Sequence, residues 1–382
     1  MTLKTLNSCA FLIWAVVGVH LAYLGLNSHP GFDWLVGWSS GWQAVEMFFL
    51  MSGFFLFYHV NTQESVLHFA LRKWLRLAPF IVVLTLAGYL LAGFDILQYP
   101  LSVNIFNSLL LLDWNTHHFG PDATIIYVAW FANVLFFVSV LYFCILKALP
   151  REQATLVIGL ISLLTLFMYN RHLYIIVPFI YPLVRALSYM GFGYLLCLLW
   201  KAREQARAGR NCDLKVSAPR CYLLISCLEA LLLGAIFISL FAGSSGGSAA
   251  PGDLEIPVDE IASLTALTWF PAQTRWALGG VWLQLCFAAL FWLFLCRQGV
   301  ISRLLNHPGS VMLGRYSYAV FLVHTLVVRA VRDYLAPAQS TWALDHPVLT
   351  VAAVCLLILT LSVLAHHLLE QPLLKWAARQ LK

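Results

Sequence analysis

A chain of 382 residues that is 61% hydrophobic and only 10% charged, with mean hydropathy +0.81, lies far from the roughly 25% charged average of soluble domains and excludes a soluble globular protein. The net charge of +6 is accounted for by cations lining a membrane surface and calls for no nucleic-acid partner. The fold class read from these values is all-α and polytopic, because backbone groups in lipid are satisfied within helices and a bilayer core of roughly 30 Å takes about 20 apolar residues.

Hydropathy and helix breakers predict about ten transmembrane helices, near residues 9–27, 42–60, 79–93, 125–147, 153–170, 173–200, 221–242, 273–296, 311–335 and 347–368, in one membrane domain over 1–382 with no appended soluble domain. No A-x-A-like cleavage site follows residues 1–24, so the first helix reads as retained. It carries His20. The second contains Glu46, four residues inside its outer end, and then Ser52 and Gly53. Arg72, Lys73 and Arg76 follow at spacings that put them on one helical face, and Pro79 opens the third helix, where proline suits a first turn. The apolar run Ile105 to Leu112 is too short to span and reads as re-entrant or interfacial. Trp130 and Asn133 lie in the fourth helix, Arg185 well within the sixth, and Tyr316, Ser317, Tyr318 and His324 in the ninth. Glu370 reads as a cap or salt bridge near the tail.

Charge orients the array. With the N-terminus cytoplasmic, the inner side collects Lys4, Arg72, Lys73, Arg76, Lys147, Arg151, the basic loop from Lys201 to Arg220, Arg297, Arg303 and the tail, while Arg171, Arg275, Arg329 and Arg332 stay outside. Both termini are then cytoplasmic. The loop Gly243 to Glu260 reads as flexible and external. None of the nine cysteines falls in an external loop, and their spacing suggests neither a disulfide framework nor a metal site. The vicinal His117 and His118 have a poor ligand spacing and read as surface residues or acceptor contacts. No short-period repeat is evident.

Two readings of the basic face stand side by side: an anchor for the inner leaflet, or a grip on phosphates through forked, charge-assisted hydrogen bonds. Intramembrane Arg185, Glu46 and His20 each require a partner or an interior-facing position. With Lys4 at the inner surface, His20 lies roughly 24 Å further along the helix axis, in the outer half of the bilayer, at a depth similar to Glu46 on the neighbouring helix.

The stretch "FFLMSGFFL", Phe48 to Leu56, followed by "RKWLRLAP", Arg72 to Pro79, resembles the "FFxxSG…RRxxRxxP" signature of membrane acyltransferase family 3. The resemblance continues in "PLVRALSYMGFGYLL", Pro182 to Leu196, in "GRYSYAVFLVHTLVV", Gly314 to Val328, which is similar to "GxxSYxxYLxH", and in "HHLLEQPLLKW", His366 to Trp376. It implies an enzyme of the inner membrane that moves an acyl group, often acetyl or succinyl, from cytosolic acyl-coenzyme A to a hydroxyl of a cell-envelope glycan or lipid-linked glycan. Membrane lipid and envelope biosynthesis proteins are the further partners it implies. The family pairs a first-helix arginine with a histidine; here His20 is present and the arginine position is Cys9, with Asn7, Ser8 and Lys4 nearby. In "YVAWFANVLFF" the family's "WxLxxE" glutamate position is Leu135.

On this reading His20 is the general base for the acceptor hydroxyl. The depth of Glu46, and not the family motif, suggests that it orients or charges His20; the alternative is that Glu46 lies in the headgroup region and does nothing chemical. Arg72, Lys73 and Arg76 hold the donor phosphates. Gly53 beside Ser52 leaves room for the pantetheine arm, and Arg185 serves the donor or pairs with an acid. His324 is a polar lining residue or a packed core histidine. Direct attack on the thioester is expected, with an acyl-enzyme on Ser52 or a helix cysteine as the alternative. A transporter or flippase for a glycan or lipid-linked intermediate is the rival class; such proteins more often show matched halves with interrupted helices, and none are found. An inactive scaffold is a third reading, suggested by the missing arginine.

Overall fold

The structure, a computed structural model, describes residues 12–22, 43–92, 97, 99–111, 124–170, 181–208, 219–242, 272–338 and 346–380. Lys4 to Cys9, the His117 and His118 pair, Arg210, Lys215 and the Gly243 to Glu260 loop lie outside the described residues. Among the described residues there are helices and no strand. Each of the ten expected segments contains a helix. Among the described residues, five helices are long and apolar enough to cross a membrane, or six if Pro308–Arg315 and Ser317–Arg332, bent by 53°, form one span. The chain is therefore a multi-pass helical membrane protein.

Helix α1 is Ile13–Ala22 and α2 is Ala44–Tyr58. Helix α3, Val66–Leu91, corrects the expectation that Pro79 begins a span, because Pro79 lies inside it. The start is set instead by Ser65, whose hydroxyl accepts the His68 amide at 3.1 Å. A proline interrupts one hydrogen bond of the helix, and burial of Leu77, Ala78, Phe80, Ile81 and Leu84 on both sides of it holds the turns together. Arg72, Lys73 and Arg76 thus stand on the same rigid rod as the apolar span.

The short helix α4, Leu101–Ser108, follows Pro100 and begins earlier than the expected Ile105 to Leu112 segment. It ends before Leu110, whose φ of 59° breaks the helix. Helices α5 (Ala129–Ala148), α6 (Arg151–Asn170) and α7 (Tyr181–Ala208) follow, and Arg185 lies in the second turn of the described part of α7. Then come α8 (Pro219–Ala242), α9 (Ala272–Cys296), the short α10 (Val300–Leu305) and α11 (Pro308–Arg315), α12 (Ser317–Ala338) and α13 (Pro347–Ala365). A π-helical turn, His366–Glu370, joins α13 to α14 (Gln371–Gln380).

Helices α2 and α7 form the centre and run parallel: Glu46 meets Arg185 near their starts, and Tyr58 meets Glu204 near their ends. They cross where side chains vanish. A Cβ on Gly53 would sit 2.1 Å from the Met190 carbonyl oxygen, and one on Gly193 would sit 2.1 Å from that of Leu50. Helix α5 joins in the same sense, with Phe49 against Phe131 (4.6 Å between ring centroids) and Phe57 against Tyr142 (6.0 Å). Helix α12 runs the opposite way, since Phe131 packs on Phe321 at 5.2 Å while Arg329 reaches the carbonyls of Thr124 and Ile125 ahead of α5. Helix α1 packs on α12.

Candidate functional site

One group of polar side chains buried in the bundle lies at the end where α2, α5 and α7 begin. The Glu46 carboxylate, 1% exposed, accepts a hydrogen bond from the Tyr169 hydroxyl at 2.8 Å and lies 3.3 Å from Arg185 Nε. The Arg185 guanidinium, equally buried, lies over the Trp130 ring, 5.8 Å from its centroid. Each sits within two turns of a helix start or finish, so a cation and an acid taken out of water are matched inside the bundle, as the cost of an isolated charge in lipid demands. The sequence set Glu46 against His20. The structure gives it Arg185, which makes Glu46 the acid that Arg185 was expected to seek.

His20 stands at the same depth on the other side of Phe131. Phe131 lies between Phe49 of α2 and Phe321 of α12, and one turn further toward this end come Glu46 on α2 and His324 on α12. His20 is half-buried; its Nδ1 is 2.8 Å from the Val16 carbonyl and 3.3 Å from Nε2 of His324, which is fully buried. A carbonyl only accepts, so Nδ1 of His20 carries the hydrogen, and in the neutral ring Nε2 keeps the lone pair. That is the arrangement a general base needs.

Asn133 joins a neighbouring network. Its amide nitrogen donates to the Asn107 carbonyl (3.1 Å), the Asn107 side-chain oxygen (3.0 Å) and the Ala129 carbonyl (2.9 Å), while Ser108 donates to Thr85 at 2.8 Å. These bonds dock α4 onto α3 and α5. Arg329, placed by sequence among outer cations, donates to the Ile125 and Thr124 carbonyls at 3.4 and 3.2 Å and covers Tyr99.

The basic cluster occupies the opposite end, where α2 and α5 finish. Lys147 at the end of α5 donates to the carbonyls of Thr62 (3.2 Å) and Glu64 (2.8 Å), and Lys201 donates to that of Phe57 at 3.0 Å. Arg72 is exposed and holds Glu64 through Nε at 3.0 Å and Nη2 at 2.6 Å. Lys73 is half-buried and Arg76 exposed. Arg76 lies within electrostatic reach of Glu370, which bonds His366 Nδ1 at 2.7 Å within the π-helical turn. Tyr318 donates to the Leu77 carbonyl at 3.0 Å, tying α12 to α3 beside the cluster, and Tyr316 meets His367 Nε2 at 3.3 Å. Ser317 begins α12 at the bend. From Glu46 to Tyr58 the rise along α2 is roughly 18 Å, which measures the separation of the two ends.

One expectation changes. Gly53 leaves no passage for a donor arm, because the Met190 backbone fills the space beside it. Ser52, next to it, is half-buried. Sequence reading also missed Glu229, a fully buried acid on α8 that caps α10 by accepting the Ile301 and Ser302 amides at 2.9 and 3.2 Å. An acid inside an apolar helix was the available signal. Tyr169 carried no signal, since a terminal tyrosine is ordinary at a membrane boundary.

A profile of the acyltransferase domain of acyltransferase family 3 matches residues 10–367, nearly the whole chain. No curated protein and no solved structure matches it.

Proposed function

The chain belongs to acyltransferase family 3, so membrane acyl transfer is its class of activity, and we propose that it moves an acyl group, acetyl in the simplest case, from cytosolic acyl-coenzyme A to a hydroxyl of a cell-envelope glycan or glycolipid at the inner membrane. The hydroxyl oxygen attacks the thioester carbonyl as its proton passes to His20 Nε2; the new ester bond forms, the C–S bond breaks, and the thiolate leaves toward the basic end. Lys73 and Arg76, with Arg72 once it is released from Glu64, are the cations for the donor's phosphates. The positive-inside distribution supports a basic end in the cytosol and a polar end outside.

The observation that carries the proposal is His20: half-buried, with its hydrogen fixed on Nδ1 by the Val16 carbonyl, in the polar layer at the end opposite the cations. Purified protein with labelled acetyl-coenzyme A and a hydroxylated glycan tests it. Transfer of label that His20→Ala lowers by about 10²-fold or more supports the base, in line with the contribution of a positioned base. Glycan movement across vesicles without any acyl donor, with no label transferred, would instead establish a flippase.

A further inference from the structure

We infer that His324 is a positioning residue for His20: its Nε2 accepts the His20 Nδ1 hydrogen, holding the ring in one tautomer and stabilising the imidazolium that forms when His20 takes up a proton. The inference rests on the reading of His20 as the base.

The tautomers follow from the carbonyls. His324 Nδ1 lies 2.9 Å from the Val320 carbonyl, so it too carries its hydrogen there and keeps a lone pair on Nε2. That lone pair is 3.3 Å from His20 Nδ1, where a hydrogen is already fixed by Val16 at 2.8 Å. The hydrogen is therefore shared between the carbonyl and the second imidazole. The rings meet edge to face, with centroids 4.8 Å apart and planes inclined at 73°. With both rings neutral, this arrangement of hydrogens satisfies the Val16 and Val320 carbonyls and the ring contact together.

The two rings differ in access. His20 is half-buried, whereas His324 is fully buried beside Phe321. One imidazole is reachable, and the other is sealed behind it. A leucine would fill the His324 site without the cost of desolvating a polar ring, so the histidine calls for a use. When His20 is protonated on Nε2, its Nδ1–H bond to His324 becomes charge-assisted and strengthens. His324 takes no proton; it supports the charge, as the third member of a nucleophile–base–orienter set does.

The other titratable groups on the elements packed around the pair are engaged or remote. Glu46 on α2 is matched to Arg185 and Tyr169, Tyr89 on α3 donates to the Tyr99 carbonyl at 2.8 Å, and Arg329 on α12 holds the Thr124 and Ile125 carbonyls. Cys355 on α13 is a thiol, Arg332 follows Arg329 on α12, and Arg72, Lys73, Arg76, Arg315, Tyr316, Tyr318, His366, His367 and Glu370 belong to the opposite end.

Two variants and one spectrum test this. In His324→Leu, kcat is expected to fall about tenfold or more, a part of what a positioned base contributes, with the KM for acetyl-coenzyme A unchanged. The limb of the pH–rate profile that reports deprotonation of the base is expected to move to lower pH, because the protonated ring has lost its acceptor. His324→Gln, whose side-chain oxygen again accepts, is expected to restore most of the rate and return the limb. Solid-state nitrogen NMR of histidine-labelled wild type, with His20→Asn and His324→Gln for assignment, reads the tautomers directly even if the leucine variant does not fold. Both rings are expected to be protonated on Nδ1. A folded His324→Leu with wild-type kcat and pH limb, or an Nε2–H tautomer on His324, would overturn the inference while leaving His20 as base. Full activity in His20→Ala would remove the base itself.

Discussion

Arg72 meets Glu64 through two nitrogens, so on the proposed function a donor phosphate reaching Arg72 has a carboxylate to displace. The guanidinium is about half exposed, and an exposed pair of this kind is worth about 0.5–1 kcal/mol. Replacing Glu64 by Gln removes the competing charge and is expected to lower the KM for the acyl donor about two- to fivefold, read from initial rates at varied acetyl-coenzyme A. Hydrogen bonding from Arg72, the largest influence, holds the Glu64 carboxyl below the usual carboxylate range. A depressed carboxyl keeps its pairing above its unfolded pKa and loses it only as pH falls through the folded value, so the advantage of Glu64→Gln persists at neutral pH and fades in acid. An unchanged KM at neutral pH would mean that Arg72 takes no part in donor binding. Glu64 was invisible to sequence reading as a partner of the cluster because the link spans a turn, from the end of α2 to the second turn of α3. The Glu46–Arg185 and His20–His324 pairs were hidden for a stronger reason. Each residue announced, by lying in an apolar helix, that it needed a partner, but which helices meet is decided by packing across the bundle.

Gly53 and Gly193 set the distance between α2 and α7, and with it the meeting of Glu46 and Arg185 about two turns away. A Cβ at Gly53 would fall within 2.7 Å of three Met190 backbone atoms, and one at Gly193 would fall 2.7 Å from the Phe54 amide nitrogen. Backbone cannot rotate aside as a side chain does, so Gly53→Ala and Gly193→Ala must push the helices apart. Each is expected to cost about 1–3 kcal/mol, measured as a lower unfolding temperature in detergent. A variant that kept its stability but raised the donor KM would show that Gly53 borders a donor path after all. The helices themselves were legible, since runs of apolar residues between breakers located a helix in every expected segment. Proline was misleading at Pro79 because its local preference for a first turn is a small term beside the burial of the residues flanking it.

The exposed cations of α3 stand where α2 and α5 finish, and the Glu46–Arg185 and His20–His324 pairs stand where they begin. Such a division serves a transfer between compartments only if the two ends face different sides of the membrane, which makes orientation the property on which the whole reading depends. The cation count favours a cytosolic basic end, because positively charged loops are retained on that side. Single cysteines in a background free of the native ones test this directly. Gln63 is exposed just after α2 and next to the Lys147 and Arg72 contacts, whereas His346 is exposed at the start of α13, whose far end leads into the π-helical turn beside Arg76. A membrane-impermeant maleimide is expected to label His346→Cys in intact cells stripped of outer envelope, and Gln63→Cys only after the membrane is opened. The reverse pattern would put the cations outside, away from cytosolic thioester, and His20 on the cytosolic side; the donor and acceptor ends would then have to be exchanged, and Lys73 and Arg76 would face the glycan rather than the nucleotide. Labelling of both positions in intact cells would show that the two ends share one side, and transfer across the membrane would have no structural basis.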